Sequence, residues 1–417
     1  MSVVRPSPHP VVAALVRVVL MPWLSRRARL STEGLREVQS LQAPFIVVAN
    51  HVSFWDPFWV AACVRQPVQF VASDNLFRTP LLGTAMKLLG AIPKTKLMND
   101  LDTVRLIHEV LRAGGVVGIF PEGSRSDDGR SSDLIPAVAR LVRRMRVPVL
   151  GARIMGGYLS RPRWARHARR GSVRIAWKLL LAPDEARAAE DEQVLATMRR
   201  HLTWDETAWQ RTRMARYPGR RPAEYLERLL FVCPHCRSLS SLRSQDDRLR
   251  CTVCEYAVRL TEYGFFEPCT SPLYFDNPAD WNAWQLPVLD RILGSEAAFG
   301  EFIFQEKPCR LLVGWRSRPL RTMERGTARL CRQRIVFHGD SGLAWSFSLS
   351  GVQGMNVQNR EKLEFYHERV LYRLDFLDPR ASPYKWVRAV ESLVRAGRHV
   401  ETGWTDQVRS RMRVNTY

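Results

Sequence analysis

His51 and Asp56 are the side chains whose types and spacing most favour chemistry in this chain of 417 residues. The segment Phe45–Ala49 is apolar and rich in β-branched residues, which predicts a buried strand that ends just before His51. Asp56 precedes the apolar run Phe58–Val64, which has the length of a short helix. A strand end followed by a helix start is where α/β enzymes place catalytic groups. A histidine takes up a proton near neutral pH, and a carboxylate at its other ring nitrogen fixes the tautomer.

A structural role is the alternative for the same two residues. Asp56 followed by Pro57 is also typical of a helix N-terminus, where an aspartate caps the helix and a proline occupies its first turn. A histidine five residues before an aspartate is common by chance. The pair therefore needs support from other parts of the sequence.

Four sequence blocks supply that support. Asn50–Pro57 is N-H-V-S-F-W-D-P, and Gly90–Lys96 is G-A-I-P-K-T-K. Gly115–Ser126 is G-V-V-G-I-F-P-E-G-S-R-S, in which an apolar strand is followed by a turn with a carboxylate and an arginine, and Val147–Leu150 is V-P-V-L. In this order and at this spacing, the blocks resemble those of the glycerolipid acyltransferase family of the 1-acyl-sn-glycerol-3-phosphate type.

The resemblance implies transfer of a fatty acyl group from a thioester to a hydroxyl group of a lysophospholipid such as 1-acyl-glycerol-3-phosphate. The donor would be acyl-CoA or acyl carrier protein. His51 would be the general base that takes the hydroxyl proton, and Asp56 would orient it, without a covalent acyl-enzyme. Six residues would take part in acceptor binding: Lys94, Lys96, Glu122, Gly123, Ser124 and Arg125. An alternative is that Glu122 and Arg125 only pair with each other at a turn.

The second block departs from the family pattern. Lys96 stands where the lysophosphatidic acid enzymes carry an arginine that binds phosphate, and Lys94 lies two residues before it. Lysine binds phosphate as a point charge rather than as a bidentate fork. The acceptor is therefore left open, and another lysolipid, for example a lyso-aminolipid, is the alternative.

Apolar strand candidates alternate with helix candidates between residues 45 and 181, which predicts an α/β domain with a mostly parallel sheet. The strand candidates are Phe45–Ala49, Val68–Ala72, Val116–Phe120, Val147–Ile154 and Val173–Leu181. The helix candidates are Pro57–Val64, Leu81–Leu89, Asp102–Ala113 and Pro136–Arg144. Residues 183–214 have helical spacing and residues 215–222 resemble a linker, so we expect the acyltransferase domain to span residues 1–215.

Two Cys-x-x-Cys pairs predict a metal site. Fourteen residues separate the second pair from the first, and the four cysteines are Cys233, Cys236, Cys251 and Cys254. Four thiolates at this spacing close a tetrahedral site, which predicts a small zinc ribbon over residues 228–266. The zinc would be structural because four ligands leave no open position for a substrate. A redox pair or an iron centre is the alternative.

The C-terminal part of the chain has a different pattern. Residues 268–286 are aromatic and resemble a loop. Gly326–His338, Leu343–Leu349, Leu363–Tyr366 and Val370–Phe376 are strand candidates separated by turns, and Ser382–Ala396 has the spacing of an amphipathic helix. Several antiparallel strands closed by a helix resemble a mostly-β domain of the pleckstrin-homology (PH) or GRAM type over residues 300–400. Such domains bind lipid head groups or partner proteins, or serve only as scaffolds.

The charge pattern favours an anionic partner. The formal net charge is +22, and residues 134–183 contain many arginines but neither aspartate nor glutamate. An anionic membrane surface, an acidic carrier protein and nucleic acid would all suit such a block. Pro10–Leu24 is apolar, and arginines follow it, which predicts a helix in the membrane interface, an ordinary core helix being the alternative. Without a signal peptide or a run of eighteen apolar residues, we expect a peripheral or monotopic protein at the cytoplasmic face.

A binding protein without catalysis is the main alternative from another class. A zinc ribbon and a basic block could contact nucleic acid or lipid as a scaffold. Acidic residues offset the arginines of the ribbon segment, however, and the four sequence blocks would then have no role. The sequence therefore disfavours nucleic acid as the partner.

Overall fold

Three sheets follow one another along the chain. The computed structural model describes residues 8–95, 101–295 and 300–412, with side chains up to residue 397. The first and third sheets have seven strands each, and the second has four.

The first sheet has the order β1-β7-β6-β2-β5-β3-β4. Every neighbouring pair is parallel except β6 and β7, which confirms the prediction of a mostly parallel sheet. Its strands are β1 (Ser31–Glu33), β2 (Phe45–Ala49), β3 (Val68–Ser73), β4 (Ile92–Lys94), β5 (Val116–Ile119), β6 (Val149–Met155) and β7 (Arg174–Leu181). Strands β1 and β4 were not expected, because three residues are too few to show an alternating pattern.

Helices cover both faces of this sheet. They are α1 (Pro10–Leu15), α2 (Met21–Arg27), α3 (Leu35–Ser40), α4 (Asp56–Cys63), α5 (Pro80–Leu88), α6 (Leu101–Arg112), α7 (Pro136–Met145), α8 (Gly157–Ser160), α9 (Pro183–Ala188), α10 (Asp191–Leu202) and α11 (Glu206–Arg213). A π-helical turn, Val16–Leu20, joins α1 to α2. Throughout the described residues, no helix is long and apolar enough to cross a membrane.

Strand β2 lies at the centre of the first sheet and is buried along its whole length. Ile46 and Val48 belong to the apolar cluster formed with α6, α7 and α10. Phe45, Val47 and Ala49 belong to the cluster formed with α2 and α4 on the other face. Because successive side chains of a strand point to opposite faces, a continuous apolar run is what a strand covered on both sides requires.

Residues 215–222 have no helix or strand and are mostly exposed, as the predicted linker would be, but one of their side chains is anchored. Tyr217 is fully buried. Its hydroxyl group donates a hydrogen bond to the carbonyl oxygen of Ser172 at 2.8 Å, and its backbone N–H donates to the backbone carbonyl oxygen of Glu262 at 2.8 Å. The segment therefore connects the first sheet to the second through a buried side chain.

The second sheet is antiparallel, and a helix follows it. Its strands are β8 (Leu242–Gln245), β9 (Arg248–Cys251), β10 (Ala257–Leu260) and β11 (Phe266–Pro268). Helix α12 (Pro278–Gly294) corrects the expected loop over residues 268–286. The side chain of Asn277 caps α12 by accepting a hydrogen bond from the N–H of Asp280 at 2.8 Å. The sequence pattern did not predict this helix, because a proline such as Pro287 usually ends a helix.

The third sheet is antiparallel and has the order β15-β14-β13-β12-β18-β17-β16. Its strands are β12 (Phe304–Gly314), β13 (Arg321–Leu330), β14 (Arg334–Gly339), β15 (Ala344–Ser348), β16 (Val352–Gln358), β17 (Lys362–His367) and β18 (Val370–Phe376). The expected strand Gly326–His338 is in fact the end of β13 and most of β14, separated by a turn. Helix α13 (Pro383–Met412) packs on this sheet through the buried Trp386, which contacts Phe304 and Phe376.

The second and third sheets share one apolar core. Val258 of β10, Trp281 of α12 and Phe365 of β17 belong to the same buried cluster. A buried ion pair joins the third sheet to the first: Arg78 Nη1 lies 2.5 Å from Glu364 Oε1. Arg78 also contacts Asp74 Oδ1 at 3.3 Å, and its Nε donates to the carbonyl oxygen of Arg316 at 2.7 Å.

Replacing Arg78 by methionine should destabilise the contact between the first and third sheets by roughly 3 kcal/mol, because the buried Glu364 would lose its nearest cation and keep only Arg373, 3.8 Å away. Urea unfolding monitored by tryptophan fluorescence measures the change. The matched control is Arg105→Met, which removes an exposed ion pair with Glu109 and should cost no more than about 0.5 kcal/mol. Equal destabilisation by the two variants would contradict a role for Arg78 in joining the sheets.

Candidate active site

His51 and Asp56 form a hydrogen-bonded pair at the carboxyl end of β2. His51 Nδ1 lies 2.8 Å from Asp56 Oδ2. The same carboxylate oxygen accepts hydrogen bonds from the backbone N–H groups of Val52 at 2.7 Å and Ser53 at 2.8 Å. Asp56 is the first residue of α4, but its side chain bonds to the preceding loop and caps no N–H group of the helix. The structure therefore shows the histidine–aspartate pair rather than the helix cap.

Burial controls the charge of Asp56. Its side chain is fully buried, and Oδ1 has no hydrogen-bond partner within the described part of the chain. Burial raises the pKa of Asp56 to about 8, while the N–H groups of Ser53 and Val52 and the charge of Arg125 act in the opposite direction. A positive charge on the adjacent imidazole would also favour the carboxylate. Because Oδ2 already accepts two backbone N–H groups, it faces His51 as an acceptor, which places the proton of the imidazole on Nδ1.

Asn50 and Phe120 fix the position of His51. Asn50 Nδ2 donates to the carbonyl oxygen of Ile154 at 2.9 Å, and Asn50 Oδ1 accepts from the N–H of Ile154 at 2.7 Å. This two-way contact ties the end of β2 to β6. The ring of Phe120 stacks on His51 with 4.2 Å between ring centroids. Sequence reasoning assigned no role to either residue, although Asn50 stood out as a polar residue directly after an apolar strand.

Glu122 holds the loop after β5 against the loop after β2. Its Oε1 accepts from the N–H of His51 at 3.0 Å, and its Oε2 accepts from the N–H of Ser132 at 3.1 Å. The N–H of Ser126 donates in turn to the carbonyl oxygen of His51 at 2.8 Å. No pair between Glu122 and Arg125 is present among the described contacts, so the alternative of a simple turn pair is not what the structure shows.

The other residues of the third block border the same edge of the sheet. Gly123 has φ +71°, and a Cβ there would lie 2.7 Å from Ile135 Cδ1, so the turn requires glycine. Ser124 and Arg125 are partly exposed. Burial, Arg163 and Arg161 lower the pKa of Arg125 to about 10. No carboxylate within the described ranges forms an ion pair with Arg125.

Of the two lysines in the second block, the structure describes only Lys94. Lys94 is the last residue of β4 and lies opposite Ser73 of β3. Since β2, β3, β4 and β5 are parallel, Lys94 lies at the same edge of the sheet as His51. Lys96 lies outside the described residues.

The four cysteines lie close together. Their sulfur atoms all fall within 4.8 Å of one another. Cys233 Sγ and Cys254 Sγ are 3.6 Å apart, and Cys236 Sγ and Cys251 Sγ are 3.7 Å apart. Four sulfur atoms bound to zinc at about 2.3 Å in a tetrahedron lie about 3.8 Å from one another. The N–H of Val253 also donates to Cys251 Sγ at 3.4 Å. The arrangement fits a tetrahedral thiolate site.

Comparison with known proteins agrees with this geometry. Residues 29–155 match the family model described as acyltransferase. The match covers β1 to the end of β6 and includes His51, Asp56 and the loop that carries Arg125.

Curated relatives are 1-acyl-sn-glycerol-3-phosphate acyltransferases. The chloroplastic protein of Brassica napus is 29% identical over 126 residues, which are 30% of this chain and 36% of the relative. The Pseudomonas aeruginosa protein is 27% identical over 160 residues, covering 37% of this chain and 60% of the relative. The chain thus spans less than two thirds of the length of these relatives.

A solved structure is also similar. The 1-acyl-sn-glycerophosphate acyltransferase PlsC of Thermotoga maritima aligns with a TM-score of 0.39 at 21% identity, over 49% of this chain and 84% of that chain.

Proposed function

We propose that this chain is an O-acyltransferase. It moves a fatty acyl group from acyl-CoA or acyl carrier protein to the hydroxyl group of a lysophospholipid such as 1-acyl-glycerol-3-phosphate. The pair of His51 Nδ1 and Asp56 Oδ2, 2.8 Å apart within the segment that matches the acyltransferase family, carries this proposal.

The geometry gives each member of the pair a role. With Nδ1–H donating to Asp56, the tautomer of His51 places its lone pair on Nε2, which takes the proton of the acceptor hydroxyl as oxygen attacks the thioester carbonyl. A C–O bond forms, and the carbonyl oxygen becomes an oxyanion. When this intermediate collapses, the C–S bond breaks and the imidazolium returns its proton to the leaving thiolate. Asp56 stabilises the imidazolium between the two steps.

A covalent intermediate on Cys63 does not fit its surroundings. Burial raises the pKa of the Cys63 thiol to about 11, so the nucleophilic thiolate is scarce at neutral pH. Direct transfer between the two substrates is therefore the better proposal.

Replacing His51 by alanine should lower kcat by about 100- to 10,000-fold, the usual contribution of a general base. The assay follows release of free thiol from acyl-CoA, and separately from acyl carrier protein, with a panel of lysolipids that includes lysophosphatidic acid and a lyso-aminolipid. The lysolipid that supports turnover identifies the acceptor.

Cys63→Ala is the matched control and should keep most of the activity. Turnover that survives in His51→Ala, or that is lost only in Cys63→Ala, would contradict the proposed mechanism. Absence of thiol release with every donor and acceptor would contradict the enzymatic function itself.

We also propose that the N-terminal helices lie on an anionic membrane surface, at its cytoplasmic face. Five large apolar residues on them are between 52% and 72% exposed: Val11, Leu15, Val18, Val19 and Trp23. Their spacing places them on one face, while Leu24 on the other side is buried. Arg26, Arg27 and Arg29 are exposed beside this face and suit anionic head groups.

Replacing Leu15 and Val18 by glutamine should weaken sedimentation with anionic vesicles by at least about 10-fold, because the buried apolar area is lost. Leu343→Gln is the matched control, since Leu343 is 60% exposed, as Leu15 is, but lies in the turn between β14 and β15. Equal vesicle binding by the double variant and the control would argue against this docking face.

The four-cysteine segment and the third sheet have supporting roles in this proposal. We propose that the cysteines hold structural zinc as a zinc ribbon, with no contact to substrate. Lys385 of α13 is almost completely buried and donates to Ser240 Oγ at 2.9 Å, so the ribbon packs directly on the C-terminal helix. Seven antiparallel strands followed by a helix support a PH-like domain as the third unit.

One zinc ion per chain is expected by elemental analysis of the purified protein. Cys251→Ser should lose it and should lower the thermal unfolding midpoint by more than about 5 °C, since metal binding and folding are coupled. Cys269→Ser, a change at an exposed cysteine outside the cluster, is the control and should keep both properties. Full zinc content in Cys251→Ser would exclude the four-cysteine site.

A further inference from the structure

The loop between β5 and α7, residues 120–135, holds the backbone of His51 from two sides. The N–H of Ser126 donates to the carbonyl oxygen of His51 at 2.8 Å. On the other side, Glu122 Oε1 accepts from the N–H of His51 at 3.0 Å. A displacement of this loop would therefore move the backbone that carries the candidate general base.

Ser126 is braced within the same loop. Its side chain is almost completely buried, and its Oγ donates to the carbonyl oxygen of Arg130 at 2.7 Å. The same oxygen accepts from the N–H of Gly129 at 2.8 Å. The N–H of Arg130 donates in turn to Asp128 Oδ1 at 3.0 Å. The position of Ser126 thus depends on the turn formed by residues 126–130.

Helix α12 holds this turn from outside. Asn282 Nδ2 donates to Asp128 Oδ2 at 2.9 Å. Arg130 Nη1 donates to the carbonyl oxygen of Ala279 at 3.2 Å, and its Nη2 forms an ion pair with Asp280. The partners in these contacts are 149 to 154 residues apart in the sequence. The turn beside His51 is therefore fastened to the C-terminal half of the chain.

The contacts of Asn282 fix which end of its amide faces the turn. Its side chain is buried, and its Oδ1 accepts from Tyr384 OH at 3.1 Å and from Gln285 Nε2 at 2.9 Å. Gln285 is itself held, because its Oε1 accepts from the N–H of Phe231 at 2.9 Å. With both donors at its oxygen, Asn282 directs its nitrogen at Asp128. The contact is specific, since turning the buried amide would leave several polar groups unpaired.

We propose that Asn282 and Asp128 form a clamp through which the C-terminal half of the chain positions His51 for catalysis. Asn282 is then a positioning residue, which acts through Asp128 and Ser126 and touches no substrate. Helix α12 lies outside residues 29–155, which match the acyltransferase family, so the clamp is an addition to the matched segment. The inference rests on the proposed acyl transfer for its effect on rate, whereas the clamp itself does not depend on that function.

Reciprocal substitution tests the clamp. Asn282→Asp places a second carboxylate beside Asp128, and Asp128→Asn places a second amide beside Asn282, so each single change disrupts the bond. The double variant Asp128→Asn/Asn282→Asp reverses its direction. The new amide at position 128 donates to the new carboxylate at position 282, which still accepts from Tyr384 and Gln285. The N–H of Arg130 also keeps an oxygen acceptor.

Hydrogen–deuterium exchange of the full-length protein, measured by mass spectrometry, reports on the clamp without any substrate. Peptides that contain the Ser126 and His51 amides should exchange about 10-fold faster or more in each single variant, because a loop released from α12 opens more often. The double variant should return to within about threefold of the wild-type rate, since it restores the pairwise contact.

Arg395→Gln is the matched control. It removes a contact between α13 and α12 in which Arg395 Nη2 lies 3.3 Å from Asp290 Oδ1, and both side chains are exposed. This pair is not connected to the turn that carries Asp128, so exchange of the two peptides and kcat should both stay at the wild-type value.

Wild-type exchange in both folded single variants, or no recovery in the double variant, would overturn the clamp. Circular dichroism and the thermal unfolding midpoint show whether each variant has folded. If Asn282→Asp fails to fold, Asp128→Asn decides the question, because it adds no charge and keeps the size of the side chain.

Steady-state kinetics show whether the clamp serves catalysis. In each folded single variant kcat should fall about 10-fold or more and should recover in the double variant, because a general base acts only in the correct place. Faster exchange with unchanged kcat would overturn the positioning role, since a merely structural contact leaves the rate per folded molecule unaltered. If no acyl transfer occurs in any protein but the exchange pattern holds, the proposed function fails while the clamp stands.

Discussion

The buried carboxylate of Asp56 is the constraint on which the site depends. One oxygen accepts three hydrogen bonds, from the ring of His51 and from two backbone N–H groups. These bonds fix the shape of the loop between β2 and α4 and the tautomer of the histidine together. The continuous burial of β2 and the clamp from Asn50 to Ile154 serve the same purpose, because a carboxylate in this environment tolerates little displacement of its donors.

The sequence predicted this part of the molecule because its signals are local. Strand β2 is encoded by an apolar run that ends just before His51. Helix α4 is encoded by Asp56-Pro57 and the apolar run that follows. Both elements, and the His51–Asp56 pair between them, therefore come from about twenty consecutive residues. The contacts of Glu122 to His51 and of Asn50 to Ile154 bridge 71 and 104 residues, and no local pattern encodes them. Helix α12 was missed for a different reason, since Pro287 lies inside it and interrupts the usual helical pattern.

The third sheet contacts the part of the chain that carries the candidate active site, although the two lie far apart in the sequence. Arg78 pairs with Glu364, and Arg163 bonds to Val357, so the two parts of the chain meet beside the loop that carries Arg125. Domains that only share a flexible connection would leave this region open to solvent. Here the C-terminal part packs directly beside that loop through hydrogen bonds and a buried ion pair.

The shared core of the second and third sheets also has a consequence for synthesis on the ribosome. Helix α12 packs against α13, and its Leu289 belongs to the buried cluster that also contains strands of the third sheet. A nascent chain that has reached residue 295 would still expose this apolar face, and folding of this half is complete only when α13 has emerged. The contact of the third sheet with Arg163 forms in the same late step, so a newly made chain would acquire the loop that carries His51 and Asp56 before this contact is in place.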